Sequence, residues 1–334
     1  MHAHIADALK APLIIQLTDR LYIARFEVLK IYSAIGALEQ LLKEGLIKQG
    51  QTLVDSSSGI YAQALAMACH KYGMRCHIVA SQTIDKTLKI QLELLGAVVE
   101  QVPSVGGLEM DQRQRVDRIE KLLQKNPGYH WMRQYHDRIH YLGYKAVADL
   151  IKTEIDLGGL CLVGGVGSGA STGGLANYLR NETDVQLCGV QPFGSITFGS
   201  SHIQDPAALV AGIGSAIPFD NVEYTAYDIV HWISFQGGLA GAVALMKRHA
   251  VFAGLSSGCC YLAAQWEEKG GDHERVLMLS ADTGHRYVET VFSHRHEADQ
   301  VDKLSPEQVN APQQISLPWS RMAWRRRPYE LTNS

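Results

Sequence analysis

The sequence predicts an α/β protein in which parallel strands form sheets and helices cover both faces. Three observations support this fold class. Short apolar runs, such as residues 160–163, have the composition of buried strands. Amphipathic helical patterns alternate with these runs, which is the arrangement of a parallel sheet. Glycines and hydroxyl residues follow several runs directly, at the edge where open α/β sheets bind ligands.

The predicted elements follow one another as strand and helix through the first half of the chain. The strands are residues 21–28, 52–55, 76–80 and 98–102, and the helices are residues 33–47, 56–73, 83–97 and 111–126. The last of these helices is charged and is predicted to expose one face. Further buried strands are predicted at 160–165, 185–192 and 275–282. From about Asp302 onward the chain is rich in proline, glutamine and arginine, which predicts an irregular tail.

Composition excludes several classes of protein. The chain has 334 residues and a net charge of −3, so we expect two domains or one large α/β unit, and no general attraction to nucleic acid or to a membrane surface. No uninterrupted apolar stretch is long enough for a transmembrane helix, and the first residues do not have the pattern of a signal peptide. The six cysteines form no CxxC pair, which favours reduced, buried thiols in a cytoplasmic protein.

The glycine-rich stretch at 167–171, GSGAS, is the strongest candidate for an anion site. Backbone N–H groups at a helix start, with no bulky side chains around them, can hold a phosphate. A tight strand–helix connection without a ligand is the alternative. The stretch is not a P-loop, because no GK[ST] follows it. Its fit to a dinucleotide fingerprint is weak, because the next strand ends in Gln191 where that fingerprint has an acidic residue.

Three other polar loops follow predicted strands. In the first, Ser57 and Ser58 could hold a carboxylate, or a serine could simply cap the following helix. The others are GLSSGCC at 254–260 and SADTGHRY at 280–287. Four such loops together predict a site for a small anionic molecule that carries a phosphate.

Taken in order, these loops resemble one family, the fold type II pyridoxal-phosphate enzymes, specifically the cysteine synthase and cystathionine β-synthase group. GVGSGASTGG is similar to the family's GTGGTxxG phosphate loop, and VDSSSGIYAQALA resembles its E-x-TSGNTG loop. Two further segments of the family, a helix that ends at L-G-A and the Q-[FY]…H-x-x-T-G stretch, are similar to KIQLELLGAVVE and WMRQYHDRIHYLGY. VAGIGSAIP, FAGLSSGCC and ADTGHRYVET are similar to its GIG, G-[IL]-SSG and P-[DS]-x-G-E-R-Y stretches.

The resemblance implies two three-layer α/β/α domains of the tryptophan synthase β type. The larger, cofactor-binding domain would comprise residues 1–33 and 144–300, the smaller, mobile, substrate-closing domain 34–143, and the tail 301–334. It also implies a homodimer that uses pyridoxal 5′-phosphate and acts on a small amino acid. The implied reaction is β-replacement or β-elimination, through an aminoacrylate, on an activated serine or cysteine derivative such as O-acetylserine or O-phosphoserine.

Residue roles come from the same resemblance. Counting back from Gly59 places Lys30 where the family has the lysine that forms a Schiff base with the cofactor, so Lys30 is the catalytic candidate. The cofactor phosphate would be held by Gly167, Ser168, Gly169, Ala170 and Ser171. Thr283 would face the pyridine nitrogen, with Asp282 as the alternative. The substrate carboxylate would be held by Ser57, Ser58, Gly59 and Gln134.

The chain departs from the family pattern at two places. The family's N-P-x-G-S loop before the lysine is absent, and Ile60 replaces the asparagine that would contact the cofactor's ring hydroxyl. Tyr61 follows Ile60, and its phenol could reach the same oxygen or narrow the pocket. These changes leave three alternatives open: a catalytically silent homologue that binds or regulates a partner, a diaminopropionate-type synthase, and a deaminase or racemase.

Two remaining motifs have ordinary interpretations. His136 and His140 have a spacing that could bind a metal on a helix, but no third ligand is evident, so we predict no metal site and surface or capping histidines. The arginines of WRRRP at 324–328 could contact an acidic partner, although a solvated chain end is more usual.

Overall fold

The computed structural model of the protein describes residues 1–103, 108–205 and 212–329. Its helices are α1 Ile5–Ala8, α2 Ile31–Lys43, α3 Ile60–Tyr72, α4 Lys86–Leu94, α5 Leu108–Lys125, α6 Lys145–Glu154, α7 Ala170–Leu179, α8 Phe235–His249 and α9 Leu255–Gly270. Its strands are β1 Leu13–Gln16, β2 Leu21–Arg25, β3 Thr52–Ser56, β4 Arg75–Ser81, β5 Val98–Val102, β6 Tyr129–Trp131, β7 Leu160–Gly165, β8 Gln186–Gln191, β9 Ile229–Ile233, β10 Arg275–Ser280, β11 Glu307–Gln308 and β12 Trp319–Ala323. Short 3-10 helices include Arg138–Tyr144 and His285–Tyr287.

The chain divides into two compact units. The smaller unit comprises Met1–Ala11 and Val28–Tyr144, and the larger comprises Pro12–Glu27 and Lys145–Ser334. These bounds differ from the predicted domains at the start of the chain, because residues 1–11 and 28–33 belong to the smaller unit. Lys30 is therefore part of the smaller unit and not of the larger one.

The smaller unit is built on a parallel sheet in the order β5-β4-β3-β6. Its strands alternate with helices, as the sequence predicts, because each parallel pair needs a crossover connection. The core on one face joins Val54 of β3 and Val79 of β4 to Ile119 and Leu122 of α5. The carboxyl ends of β3 and β6 consequently lie at the same edge of the sheet.

The larger unit contains an eight-stranded sheet in the order β1-β2-β10-β7-β8-β9-β12-β11. The five strands from β2 to β9 in this order are parallel, while β1 runs antiparallel to β2 and β12 runs antiparallel to β9 and parallel to β11. Apolar residues of β7, β8 and β10 pack against α9 in the core. The predicted α/β class with mostly parallel sheets is confirmed.

The prediction of an irregular tail is wrong for residues 319–323. Residues 319–323 form β12, which pairs with β9 along its whole length. The apolar side chains of Trp319, Met322 and Trp324 are buried, and the sequence signal was hidden because proline, glutamine and arginine surround them. The arginines also have partners within the larger unit: Arg326 pairs with Asp184 and Asp228, and Arg327 lies over the Trp324 ring.

None of the helices in the described ranges has the length and the apolar character needed to cross a membrane.

Candidate active site

Lys30 lies in the smaller unit at the residue that caps the N-terminus of α2. The backbone turns tightly there, because Ile31 N donates to Val28 O at 3.1 Å, and Lys30 O accepts from Ala34 N at 3.0 Å. Desolvation lowers the pKa of the Lys30 ammonium from 10.5 to about 8. A useful fraction of the amine is therefore neutral near neutral pH, which is the form that attacks a carbonyl.

The helix that begins after Lys30 is held by a contact between backbones. A Cβ atom added at Gly143 would lie 1.9 Å from Tyr32 O, and one added at Gly36 would lie 2.6 Å from the Gly143 Cα. Only glycine allows α2 and the Arg138–Tyr144 segment to approach this closely. The position of Lys30 thus depends on two glycines that the sequence analysis did not single out.

The serine loop, residues 56–59, connects β3 to α3. Ser57 Oγ accepts from Gly59 N at 3.3 Å and from Ala62 N at 3.2 Å, so this serine caps α3. Ser58 Oγ accepts from Ser81 N at 2.8 Å and ties the loop to the end of β4. Ser57 therefore has the helix-capping contact that the sequence analysis gave as the alternative to carboxylate binding. The hydroxyl groups of Ser57 and Ser58 act as acceptors in these bonds, so each retains a hydrogen that it can donate to a ligand.

Gln134 lies beside this loop, as the prediction requires. Gln134 Nε2 donates to Ser56 O at 2.7 Å, and Gln134 N donates to Asp55 Oδ2 at 3.0 Å. The other carboxylate oxygen of Asp55 accepts from Ser56 N and from Trp131 Nε1. Desolvation nevertheless raises the pKa of Asp55 to about 6. The structure brings Ser57, Ser58, Gly59 and Gln134 together at one sheet edge.

Sequence reasoning missed a buried ion pair next to the serine loop. Arg115 Nη1 donates to Ser56 Oγ at 2.9 Å, and its Nε and Nη2 each lie 3.0 Å from Asp111 Oδ2. Arg115 and Asp111 are 5% and 4% exposed, although their helix was predicted to be a charged helix with an exposed face. A buried charge pair that bonds to a loop serine fixes the loop, because its separation would leave a charge unpaired.

The chain departs from the family's asparagine at the start of α3, at Ile60 and the following Tyr61. Ile60 is the first residue of α3 and has no side-chain donor. Tyr61 is 3% exposed and is packed edge-on against the His140 ring at 5.5 Å. Burial, reinforced by the charge of Asp55, raises the pKa of its phenol. Tyr61 thus lies in the interior of the smaller unit.

His140 corrects another expectation. It is fully buried, not a surface or capping histidine. Its Nε2 lies 2.8 Å from Met132 O and its Nδ1 lies 3.2 Å from Ser33 Oγ. In the described ranges, no group of three or more histidine, cysteine or acidic side chains could hold a metal ion.

The glycine-rich stretch lies in the larger unit between β7 and α7. Gly169 has a φ of 79° and caps the helix, and a Cβ atom there would lie 2.6 Å from Asn221 O. A Cβ atom at Gly167 would lie 2.5 Å from Gly212 O. The N–H groups of the first turn of α7 have no acceptor within the helix. Ser168 and Ser171 are both buried beside them, so the stretch is suited to an anion.

Thr283 and Asp282 follow β10, which is the direct neighbour of β7 in the sheet. Asp282 Oδ2 accepts from Tyr287 Oη at 2.6 Å and from Arg286 Nη2 at 3.1 Å. Burial raises the pKa of Asp282. Thr283 is half-buried and pairs with Ala253. Because Asp282 already binds Tyr287 and Arg286, Thr283 stays the predicted partner of the pyridine nitrogen.

Comparison with known proteins gives the family. Residues 5–282 match the family model described as pyridoxal-phosphate dependent enzyme. The N-(2-amino-2-carboxyethyl)-L-glutamate synthase of Ralstonia nicotianae is 31% identical over 260 residues, which cover 76% of this chain and 75% of that protein. The cysteine synthase of Helicobacter pylori is 25% identical over 252 residues, which cover 74% of this chain and 79% of that protein.

A solved structure gives the fold. The crystal structure of an O-acetylserine-dependent cystathionine β-synthase from Helicobacter pylori has a TM-score of 0.78 and 21% identity, and the match covers 87% of this chain and 98% of that one. The predicted fold type II architecture is confirmed. The chain belongs to the pyridoxal-phosphate-dependent enzyme family, in its cysteine synthase and cystathionine β-synthase group, and is an enzyme that uses pyridoxal phosphate.

Proposed function

We propose that the enzyme catalyses β-replacement on an activated serine derivative of the O-acetylserine or O-phosphoserine type. The observation that carries this proposal is Lys30, whose amine has a pKa of about 8 and which belongs to the same unit as the loop and the glutamine proposed to bind the substrate. An amine of this pKa can serve both as nucleophile and as general base near neutral pH.

The residues present fit the cofactor. Gly167, Ser168, Gly169, Ala170 and Ser171 would hold its phosphate, since a side chain at either glycine would meet a carbonyl oxygen of the same unit. Thr283 would face the ring nitrogen with a neutral hydroxyl. When bound, pyridoxal phosphate supplies an electron sink for the negative charge that develops at the substrate Cα.

The chain's own residues then have separate tasks. Lys30 would be the residue that holds the cofactor aldehyde, and its neutral amine would take the proton from the substrate Cα once the substrate is bound. Ser57, Ser58, Gly59 and Gln134 would bind the substrate carboxylate. The Arg115–Asp111 pair holds Ser56 and thereby keeps the serine loop in place.

The relatives favour an amine as the nucleophile. Two N-(2-amino-2-carboxyethyl)-L-glutamate synthases are 31% and 30% identical to this chain, whereas the Helicobacter pylori cysteine synthase is 25% identical. We therefore place the amino group of an acidic amino acid first and sulfide second. We further propose a cytoplasmic homodimer in which the larger unit holds the cofactor phosphate and the smaller unit supplies Lys30 and binds the substrate carboxylate.

The visible spectrum tests the role of Lys30. Wild type, Lys30→Ala and Lys48→Ala are purified, reconstituted with pyridoxal phosphate and treated with borohydride before peptide mapping. We expect yellow wild-type and Lys48→Ala proteins with the cofactor fixed to Lys30, and loss of both signals in Lys30→Ala. Lys48 is an exposed lysine of the same unit and controls for nonspecific attachment. A wild type that stays colourless, or attachment at another lysine, contradicts the proposal.

Product analysis tests the reaction. The reconstituted enzyme is given O-acetylserine or O-phosphoserine, each with L-glutamate or with sulfide, and products are identified by mass spectrometry. We expect the conjugate in which the glutamate nitrogen is joined to the serine Cβ. Formation of pyruvate and ammonia alone would instead establish elimination, and cysteine alone would establish sulfide as the nucleophile.

A further inference from the structure

His140 connects three segments that carry the smaller unit's share of the proposed site. Its Nδ1 lies 3.2 Å from Ser33 Oγ in the first turn of α2, the helix that Lys30 caps. Its Nε2 lies 2.8 Å from Met132 O, two residues before Gln134. Its ring also packs edge-to-face with the ring of Tyr61, in the first turn of α3. No solvent reaches the side chain.

The partners determine which ring nitrogen carries the hydrogen. Met132 O can only accept, so Nε2 must be the donor at that contact. Nδ1 of the neutral ring is then an acceptor, and the Ser33 hydroxyl donates to it. A neutral His140 therefore satisfies both ring nitrogens with the two nearest oxygens.

Burial also favours the neutral form of the ring. The titratable groups that face it are Lys30 just before α2, Tyr61 on α3, and Asp137 on its own segment. Desolvation has the largest effect and lowers the pKa of His140, the backbone contacts with Met132 O and Ser33 O raise it, and the smaller effects of Asp137 and Lys30 oppose each other. In the described chain His140 forms no ion pair with a carboxylate, so a buried imidazolium would be poorly compensated.

We infer that His140 is a positioning residue for Lys30. By joining Ser33 to Met132, the neutral ring fixes the N-terminal turn of α2, and with it the backbone of Lys30, relative to the Gln134 segment. The inference rests on the proposed function for its relevance to catalysis. Its physical claim, that His140 maintains the desolvated environment of Lys30, can be measured without the reaction.

The experiment measures the ionisation of Lys30 in the full-length protein stripped of cofactor. Acetylation by acetic anhydride is followed at Lys30 by mass spectrometry from pH 6 to 11, in wild type, His140→Gln, His140→Ala and the control His136→Ala. In wild type the reactivity should rise with a midpoint near pH 8. His136 belongs to the same segment but has no assigned part in the site.

We expect His140→Ala to move the midpoint upward, because water that enters the vacated space stabilises the ammonium form. A rise of about one unit would slow Lys30 acetylation about tenfold at pH 7. His140→Gln keeps a donor that can reach Met132 O, so it should show a smaller shift, and His136→Ala should show none. When the stripped protein is reconstituted with pyridoxal phosphate, attachment of the cofactor should slow by the same factors.

The outcomes separate the two proposals. Unchanged midpoints in both His140 variants, with wild-type thermal unfolding, would overturn the inference about His140 whatever the reaction proves to be. If His140→Ala does not fold, His140→Gln decides: a shift supports the inference and its absence contradicts it. A wild type that shows the expected midpoint but does not bind pyridoxal phosphate contradicts only the proposed function.

Discussion

Replacing Arg321 by methionine should destabilise the larger unit strongly, because it breaks a buried ion pair from one side. Arg321 on β12 donates to Glu267 of α9 through Nε at 2.6 Å and Nη2 at 2.9 Å. The Glu267 carboxylate is 3% exposed and also accepts from His231 at 2.8 Å. His231 is held in turn by Trp319 Nε1 at 2.9 Å. After the substitution, the side chains left beside this buried negative charge are His231 and His273, whose Nε2 atoms lie 2.8 Å and 3.4 Å from the carboxylate.

The expected loss in the free energy of unfolding is about 3 kcal/mol, the lower end of the range for a buried pair that loses one partner. We choose the lower end because the Arg321 side chain is 17% exposed and water can partly replace it. The matched control is Arg248→Met, which breaks an exposed pair with Asp302 and should cost less than about 1 kcal/mol.

Urea unfolding followed by tryptophan fluorescence measures both variants. A loss for Arg321→Met within 1 kcal/mol of the loss for Arg248→Met would refute the reasoning. The pH dependence gives a second check, because the Arg321 guanidinium and the two histidines hold the pKa of Glu267 below its usual value. A depressed carboxyl pKa stabilises the fold above the unfolded pKa of about 4.3, and this stability is lost as the pH falls below it. The acid loss should be smaller in Arg321→Met.

The remaining predictions concern the smaller unit and use the same unfolding assay. Gly143→Ala should cost about 2 kcal/mol or more through the clash with Tyr32 O, whereas Gly128→Ala, which has open space, should be nearly neutral; equal effects would contradict the backbone contact. Arg133 has a φ of 53°, so its replacement by glycine should raise the free energy of unfolding by up to about 1 kcal/mol. A decrease would show that contacts of the Arg133 side chain outweigh the backbone strain. For Lys30, the folded pKa of about 8 lies below the usual 10.5, so the unfolded state binds more protons between these values. The stability of the cofactor-free protein should therefore rise as the pH increases across that range, and Lys30→Met should abolish the rise.

The order of strands, helices and polar loops could be predicted because each depends on neighbouring residues. An apolar run followed by glycines and hydroxyls specifies both a strand and the edge at which it ends, so Ser57 and Gly169 could be placed at sheet edges. The candidate Lys30 came from the family resemblance, because counting back from Gly59 reaches the position of the family's lysine.

The polar groups that hold the site could not be predicted, because their partners are remote in the chain. Arg115 bonds to Ser56 across 59 residues, and a charged helical pattern gives no sign of which charge is buried. His140 likewise contacts Ser33 across 107 residues. The tail was misjudged for a similar reason, since Trp319 finds His231 88 residues away.

The place of β12 in the sheet has a consequence for protein synthesis. Strand β9 is complete at Ile233, but the residues that cover its outer edge are 319–323, which leave the ribosome last among the strands described. Until then the nascent chain presents a row of unpaired backbone groups, the kind of edge to which other strands add. A shortened product that ends before Trp319 would keep that edge exposed and also leave Glu267 without its arginine. Such products should aggregate and be degraded, because the sheet edge and the buried carboxylate would both lack their partners.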